Sequence, residues 1–85
     1  MTNYTFYDDP GHGWLAVERK ELKRLGILEK ISRFSYQQGE WVYLEEDCDA
    51  TAFVVAKKAN NEEYKITTRT CDRESPIRNL PSFYP

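Results

Sequence analysis

The chain has 85 residues, 40% of them hydrophobic and 31% charged, and a formal net charge of −2. That length holds one domain with a modest core, and it excludes a second domain and a deep cleft. The longest apolar run, Ala52 to Ala56, falls far short of the roughly 20 residues that cross a bilayer, and the charge balance lacks both the basic stripe of a nucleic-acid binder and the acidic excess of a DNA mimic.

Met1-Thr2-Asn3-Tyr4 has neither the basic start nor the apolar stretch of a signal peptide, so a cytoplasmic location with reduced thiols is expected. Tyr4-Thr5-Phe6-Tyr7 is β-prone, and Asp8-Asp9-Pro10-Gly11 supplies turn chemistry, with proline fixing φ and glycine accepting positive φ. A hairpin follows, returning through Trp14-Leu15-Ala16-Val17. Trp14 and Ala16 then share one face and Leu15 and Val17 the other, and both faces are apolar.

Glu18 to Leu25 reads as a short helix docked through Leu22 and Leu25, with Gly26 as C-cap and Ile27 as its hydrophobic contact. Leu28 and Ile31 continue that apolar surface. Phe34-Ser35-Tyr36, the turn Gln37-Gln38-Gly39-Glu40 and Trp41-Val42-Tyr43-Leu44 form a second hairpin with aromatic residues on both arms. From Asp49 to Ala59 the pattern is helical, with Ala50, Phe53 and Val54 inward, acidic residues before it and Lys57 and Lys58 near its end, as the macrodipole favours. Asn60-Asn61 ends it. Tyr64 to Thr70 alternates as a strand with one buried face would.

Three prolines between Ser75 and Pro85 predict an extended arm, anchored by Ile77 and Leu80, with Phe83 and Tyr84 loose or engaged with a partner. The elements add up to a small two-layer α+β domain: an antiparallel sheet of about four or five strands, one main helix and one short helix. Residues 1–74 form its body and 75–85 the arm. Trp14, Leu22, Leu25, Phe34, Val42, Leu44, Phe53, Val54 and Ile66 are expected to supply most of the core.

His12 is the only histidine, set between Gly11 and Gly13. Two readings of it stand: a residue that closes a tight turn, or an acid, base or ligand beside glycines that let a bound molecule approach. Glu45, Glu46, Asp47 and Asp49 crowd a strand-to-helix junction, where Asp47 or Asp49 can cap the helix or the group can hold a divalent cation through oxygen. Trp14, Tyr36, Trp41 and Tyr43 serve packing, stacking or an interface. Arg78 carries a fork suited to carboxylate or phosphate, and the acidic junction is its expected partner at the end of the domain that holds His12. Cys48 and Cys71 have no metal or redox spacing and read as small hydrophobes. Nucleophile-elbow, phosphate-loop and dinucleotide motifs are absent.

The strings Asp9-Pro10-Gly11-His12-Gly13-Trp14, Val42-Tyr43-Leu44-Glu45-Glu46-Asp47-Cys48-Asp49 and Ser75-Pro76-Ile77-Arg78, with Ser35-Tyr36 and Gly39 between, resemble a family of small proteins from bacteriophages, prophages and mobile elements. The resemblance spans nearly the whole chain. It implies an accessory protein in a bacterial host, acting by binding. Similar proteins often carry a histidine in the last strand region, where this chain has Thr68-Arg69-Thr70-Cys71, which weakens any two-histidine chemistry. The leading expectation is a non-enzymatic binder of a host protein, without cofactor, metal or nucleic acid, as a monomer or small homo-oligomer. Its contact residues would be His12, Trp14, Tyr36, Tyr43, Glu45, Glu46, Asp47, Asp49 and Arg78. The alternatives are a small-ligand binder using His12, Trp14 and Arg78, and a small hydrolase using His12 with Glu45 or Glu46.

Overall fold

Asp9 fixes the first hairpin of the computed structural model, which describes residues Met1–Pro85. Its Oδ1 accepts from the Gly11 and His12 N–H groups, and its own N–H donates to the His12 carbonyl at 2.9 Å, so β1 (Thr2–Asp8) turns tightly into β2 (Gly13–Glu18). The chain continues into α1 (Arg19–Arg24), which ends as its sequence predicts: Gly26 takes φ 73°, its N–H bonds the Lys23 carbonyl, and the Ile27 N–H bonds that of Leu22. A 3-10 turn, Leu28–Lys30, then leads to the second hairpin, β3 (Tyr36–Gln38) and β4 (Trp41–Glu45), with Gly39 at φ 59° in the turn. The first arm of this hairpin starts later than the aromatic run suggests, and Phe34 lies outside it.

α2 spans Asp49–Ala59 and β5 spans Tyr64–Thr70, both with the predicted bounds. The sheet order is β3-β4-β2-β1-β5, an α+β architecture with one main and one short helix. Its pairing is mixed. β2 runs antiparallel to β1 and β4, whereas β5 lies parallel to β1 in the register Tyr4↔Ile66. The physical reason is α2: a helix crossing from β4 over β2 and β1 delivers the chain to the starting end again, so β5 enters in the direction of β4.

Alternation sorts the strands into two faces. Tyr4, Leu15, Val17, Val42 and Leu44 meet Leu22, Ile27, Ile31, Phe53 and Phe83 in the core. Several core expectations are corrected here. Phe34 is 80% exposed, because residues 32–35 turn before β3, and Ile66 is 39% exposed, because β5 is an edge strand with a neighbour on one side only. Leu25 and Val54 are half-buried, and Val55 faces out. Trp14 is buried on the opposite face of the sheet from the helix.

The inner stripe of α2 is Asp49, Phe53 and Lys57, two charged residues flanking an aromatic, each four residues apart. The charges are tolerated because both are satisfied. Asp49 Oδ2 accepts from the Ser32 N–H, the Ser32 hydroxyl and the Ser35 hydroxyl, while Lys57 Nζ donates to the Tyr4 hydroxyl and to Glu62 Oε1, both at 2.9 Å. Burial works against the Lys57 ammonium, but those hydrogen bonds outweigh it and hold its pKa above the usual lysine value.

The arm is neither extended throughout nor loose. Ser75 caps a 3-10 turn over Pro76–Asn79, accepting the Ile77 N–H, with Pro76 at the first position, where no donor is needed. Beyond it Gln37 donates to the Pro81 carbonyl, Phe83 donates to the Ser35 carbonyl, and Tyr36 bridges Ser82. Proline is compatible with such an edge because only its carbonyl is used. The segment closes the outer side of β3 and places Phe83 in the core with no exposed surface.

Candidate functional site

Most of the residues singled out from sequence divide between two of the concave surfaces, whereas Glu46 and Asp49 line neither. The first lies at the end of the domain that carries the β1–β2 turn, an open groove of about 400 Å³ lined by His12, Trp14, Phe34, Tyr36, Glu45, Asp47, Cys48 and Arg78. The turn, the acidic junction and the arm therefore do meet at one end, as their placement in the chain predicts. Trp14 is their centre: the Arg78 guanidinium lies 5.6 Å from its ring centroid, the Tyr36 ring 6.2 Å and the His12 ring 6.1 Å.

The polar groups at this end are mostly engaged with the fold. Arg78 pairs with Asp9 and not with the acidic junction: Nε to Oδ2 and Nη2 to Oδ1, both at 2.7 Å. Asp9 also takes the Ser75 N–H at 2.8 Å on Oδ2, and its side chain has no exposed surface. The Arg78 guanidinium, then the Ser75 N–H and the turn N–H groups of His12 and Gly11, hold the Asp9 carboxyl far below the usual range, against the opposing effect of burial. Neither Asp47 nor Asp49 caps α2. Glu45 does, taking the N–H groups of Cys48 and Asp49 on Oε1 and that of Asp47 on Oε2, which frees Asp49 to bind Ser32 and Ser35.

The glycines have packing reasons too. A Cβ on Gly13 would come within 2.3 Å of the Phe6 ring, and one on Gly11 within 2.8 Å of Arg78 Nη2. They admit neighbouring side chains, not a ligand. His12 Nδ1 stands 3.8 Å from Glu46 Oε1 with its side chain 60% exposed, beyond hydrogen-bond distance and without a nucleophile held against it. No group of three or more His, Cys, Asp or Glu side chains comes together that could hold a metal ion. Cys48 and Cys71 are both free thiols.

The second surface is the sheet face opposite α2. Thr5 and Tyr7 of β1, Ala16 and Glu18 of β2, and Trp41 and Tyr43 of β4 line an open groove of about 630 Å³, flanked by Lys20, Glu21 and Arg24 of α1. Here Tyr7 and Tyr43 meet edge to face at 6.3 Å, and Trp41 leaves 45% of its surface to solvent. Burial and the neighbouring Tyr7 push the Tyr43 hydroxyl pKa up. The cations on the rim are engaged: Lys20 with Glu18, and Arg24 with Glu21 and Glu62. Of the predicted contact residues only Tyr43 belongs here. Tyr7 and Trp41 join it because alternation turns them away from the face that holds Phe6 and Val42, and strand periodicity alone does not mark that face as open.

No helix of the protein is long and apolar enough to cross a membrane. Neither a protein-family model, nor a curated protein, nor a solved structure matches the chain.

Proposed function

We infer that this is a small accessory protein of the phage or mobile-element kind, and that it acts without catalysis by binding a host protein across the open face of its sheet. One observation carries the reading: the aromatic face of Tyr7, Trp41 and Tyr43 is left uncovered by a fold that covers the other face completely enough to bury Val17, Val42 and Leu44 to 0% exposure. Aromatic anchors beside hydroxyls are the surface chemistry of protein interfaces. A nucleic acid is a poorer fit, because a net charge of −2 supplies no basic stripe and Lys20 and Arg24 at the groove already have carboxylate partners. The end groove of His12, Trp14 and Arg78 supports ligand binding less well, since Arg78 is held by Asp9 and Glu45 by the helix.

The test begins with capture of partners from bacterial lysate by wild-type protein and by Trp41→Ala, followed by titration of the purified partner. Losing an anchor of this type is expected to cost about 2 kcal/mol, roughly thirtyfold in affinity, while Phe34→Ala leaves binding unchanged. A partner that binds both Trp41→Ala and Tyr43→Ala as tightly as wild type removes this face from the account.

A further inference from the structure

The two edges of the sheet are treated differently. The β3 edge is closed by residues 81–83, whereas β5 pairs only with β1 and is exposed along its length apart from half-buried Tyr64. Seven residues without proline or glycine make a long edge that no helix or loop covers, and the only blocking device along it is the pair of charges Lys65 and Arg69. The Cys71 N–H bonds the Asp8 carbonyl. In a parallel ladder alternate residues face the neighbour, so Lys65, Thr67 and Arg69 present their backbone groups to β1, and Tyr64, Ile66, Thr68 and Thr70 present theirs outward.

We propose that β5 pairs antiparallel with β5 of a second copy, Ile66 opposite Ile66, joining two sheets into one continuous sheet about a two-fold axis. The charge pattern selects this register. With Ile66 on the axis, the outward groups of Ile66, Tyr64 and Thr68 supply the hydrogen-bonded pairs. Glu63 then stands opposite Arg69 of the second copy, twice by symmetry, at the closer non-hydrogen-bonded positions. Moving the axis to Thr67 would set Lys65 against Arg69 of the second copy, like charges at the same close spacing. The partly exposed Ile66 side chain meets its own symmetry mate and loses contact with water. The pairing is isologous, so it closes as a dimer and leaves no free β5 edge.

Sedimentation equilibrium of the full chain tests this, over concentrations up to about 1 mM, since an edge-only interface is small and belongs to the weak class. Wild type is expected to pass from the 10.0 kDa monomer to twice that mass as concentration rises. Glu63→Arg and Arg69→Glu should each weaken the dimer about tenfold or more, and the double exchange should restore it. Thr68→Pro removes one outward N–H and none that serves β1, so it should abolish the dimer while the circular dichroism spectrum stays that of wild type. A monomer at every concentration overturns the pairing and leaves the edge to a strand from another protein. A dimer that survives Thr68→Pro but is lost in Trp41→Ala also overturns it and assigns self-association to the aromatic face.

Discussion

Phe53→Ala is expected to lower the unfolding free energy by about 3–5 kcal/mol, a large share of the roughly 5–15 kcal/mol that holds a small domain together. Phe53 has no exposed surface and joins the two layers: its ring meets that of Tyr4 edge to face at 5.0 Å, and Lys57 Nζ lies 5.9 Å from its centroid. Truncation opens a cavity between α2 and the sheet, and it removes the aromatic cover from an ammonium that is itself buried. Relaxation is limited, because Asp49 and Lys57 tether the helix at both ends of the same stripe. Urea unfolding measures the loss. Phe34→Ala is the matched control, at about 0.5 kcal/mol or less, since that ring is 80% exposed. A Phe53→Ala variant within about 1 kcal/mol of wild type would falsify the packing described here.

Asp9→Asn is expected to be the most disruptive change to a single polar group. Asp9 gathers five donors from two stretches of chain, and an amide keeps one acceptor while facing the other donors with N–H groups. Arg78 loses its counter-charge, and the anchor that joins the first hairpin to the 3-10 turn at Pro76 goes with it. The urea midpoint at pH 7 should fall, and hydrogen exchange at the Ser75 and His12 amides should accelerate.

The same group sets the response to acid. Asp9 titrates far below an unfolded carboxyl, and Glu62, held by Arg24 and Lys57, is lowered to about 2. Between about pH 4 and pH 2 the unfolded chain therefore takes up protons that the folded one refuses. The stability these groups contribute is fully present above that window and lost as pH falls through it, for Asp9 continuing lower still. In Asp9→Asn the acid limb should be shallower, leaving mainly the Glu62 share. An unchanged limb would show that the Asp9 pair contributes nothing to it.

What the sequence discloses here is local chemistry. The Gly26 cap, the position of the first turn and the bounds of α2 follow from residues within a few positions of one another, although Glu45 and not Asp47 or Asp49 takes the N–H groups that open α2. What it hides is partnership across the chain. Lys57 reads as an exposed helix-end lysine until Tyr4 and Glu62 are placed around it, and Phe83 reads as loose until Ser35 holds its backbone. Arg78 was legible as a fork in need of a carboxylate. Which carboxylate depended on the return of the arm to the first hairpin and not to the second helix. The aromatic face went partly unread for the opposite reason: Tyr7, Trp41 and Tyr43 satisfy strand propensity so well that nothing local distinguishes a covered face from an open one.

The parallel pairing of β1 with β5 also governs how fast the molecule can assemble. Both hairpins and α2 can form from near neighbours, but β1 reaches its second partner only when Tyr4 meets Ile66 and Asp8 meets Thr70, after the chain from β2 through α2 has been closed into a loop. Closure entropy must be met before those contacts reward it, which places refolding among the slower small domains, on the order of milliseconds to seconds, where stopped-flow fluorescence of Trp14 and Trp41 can follow it. During that interval β1, already paired with β2, offers its other edge to any chain nearby, so yield on refolding should depend on protein concentration far more than the finished fold would suggest.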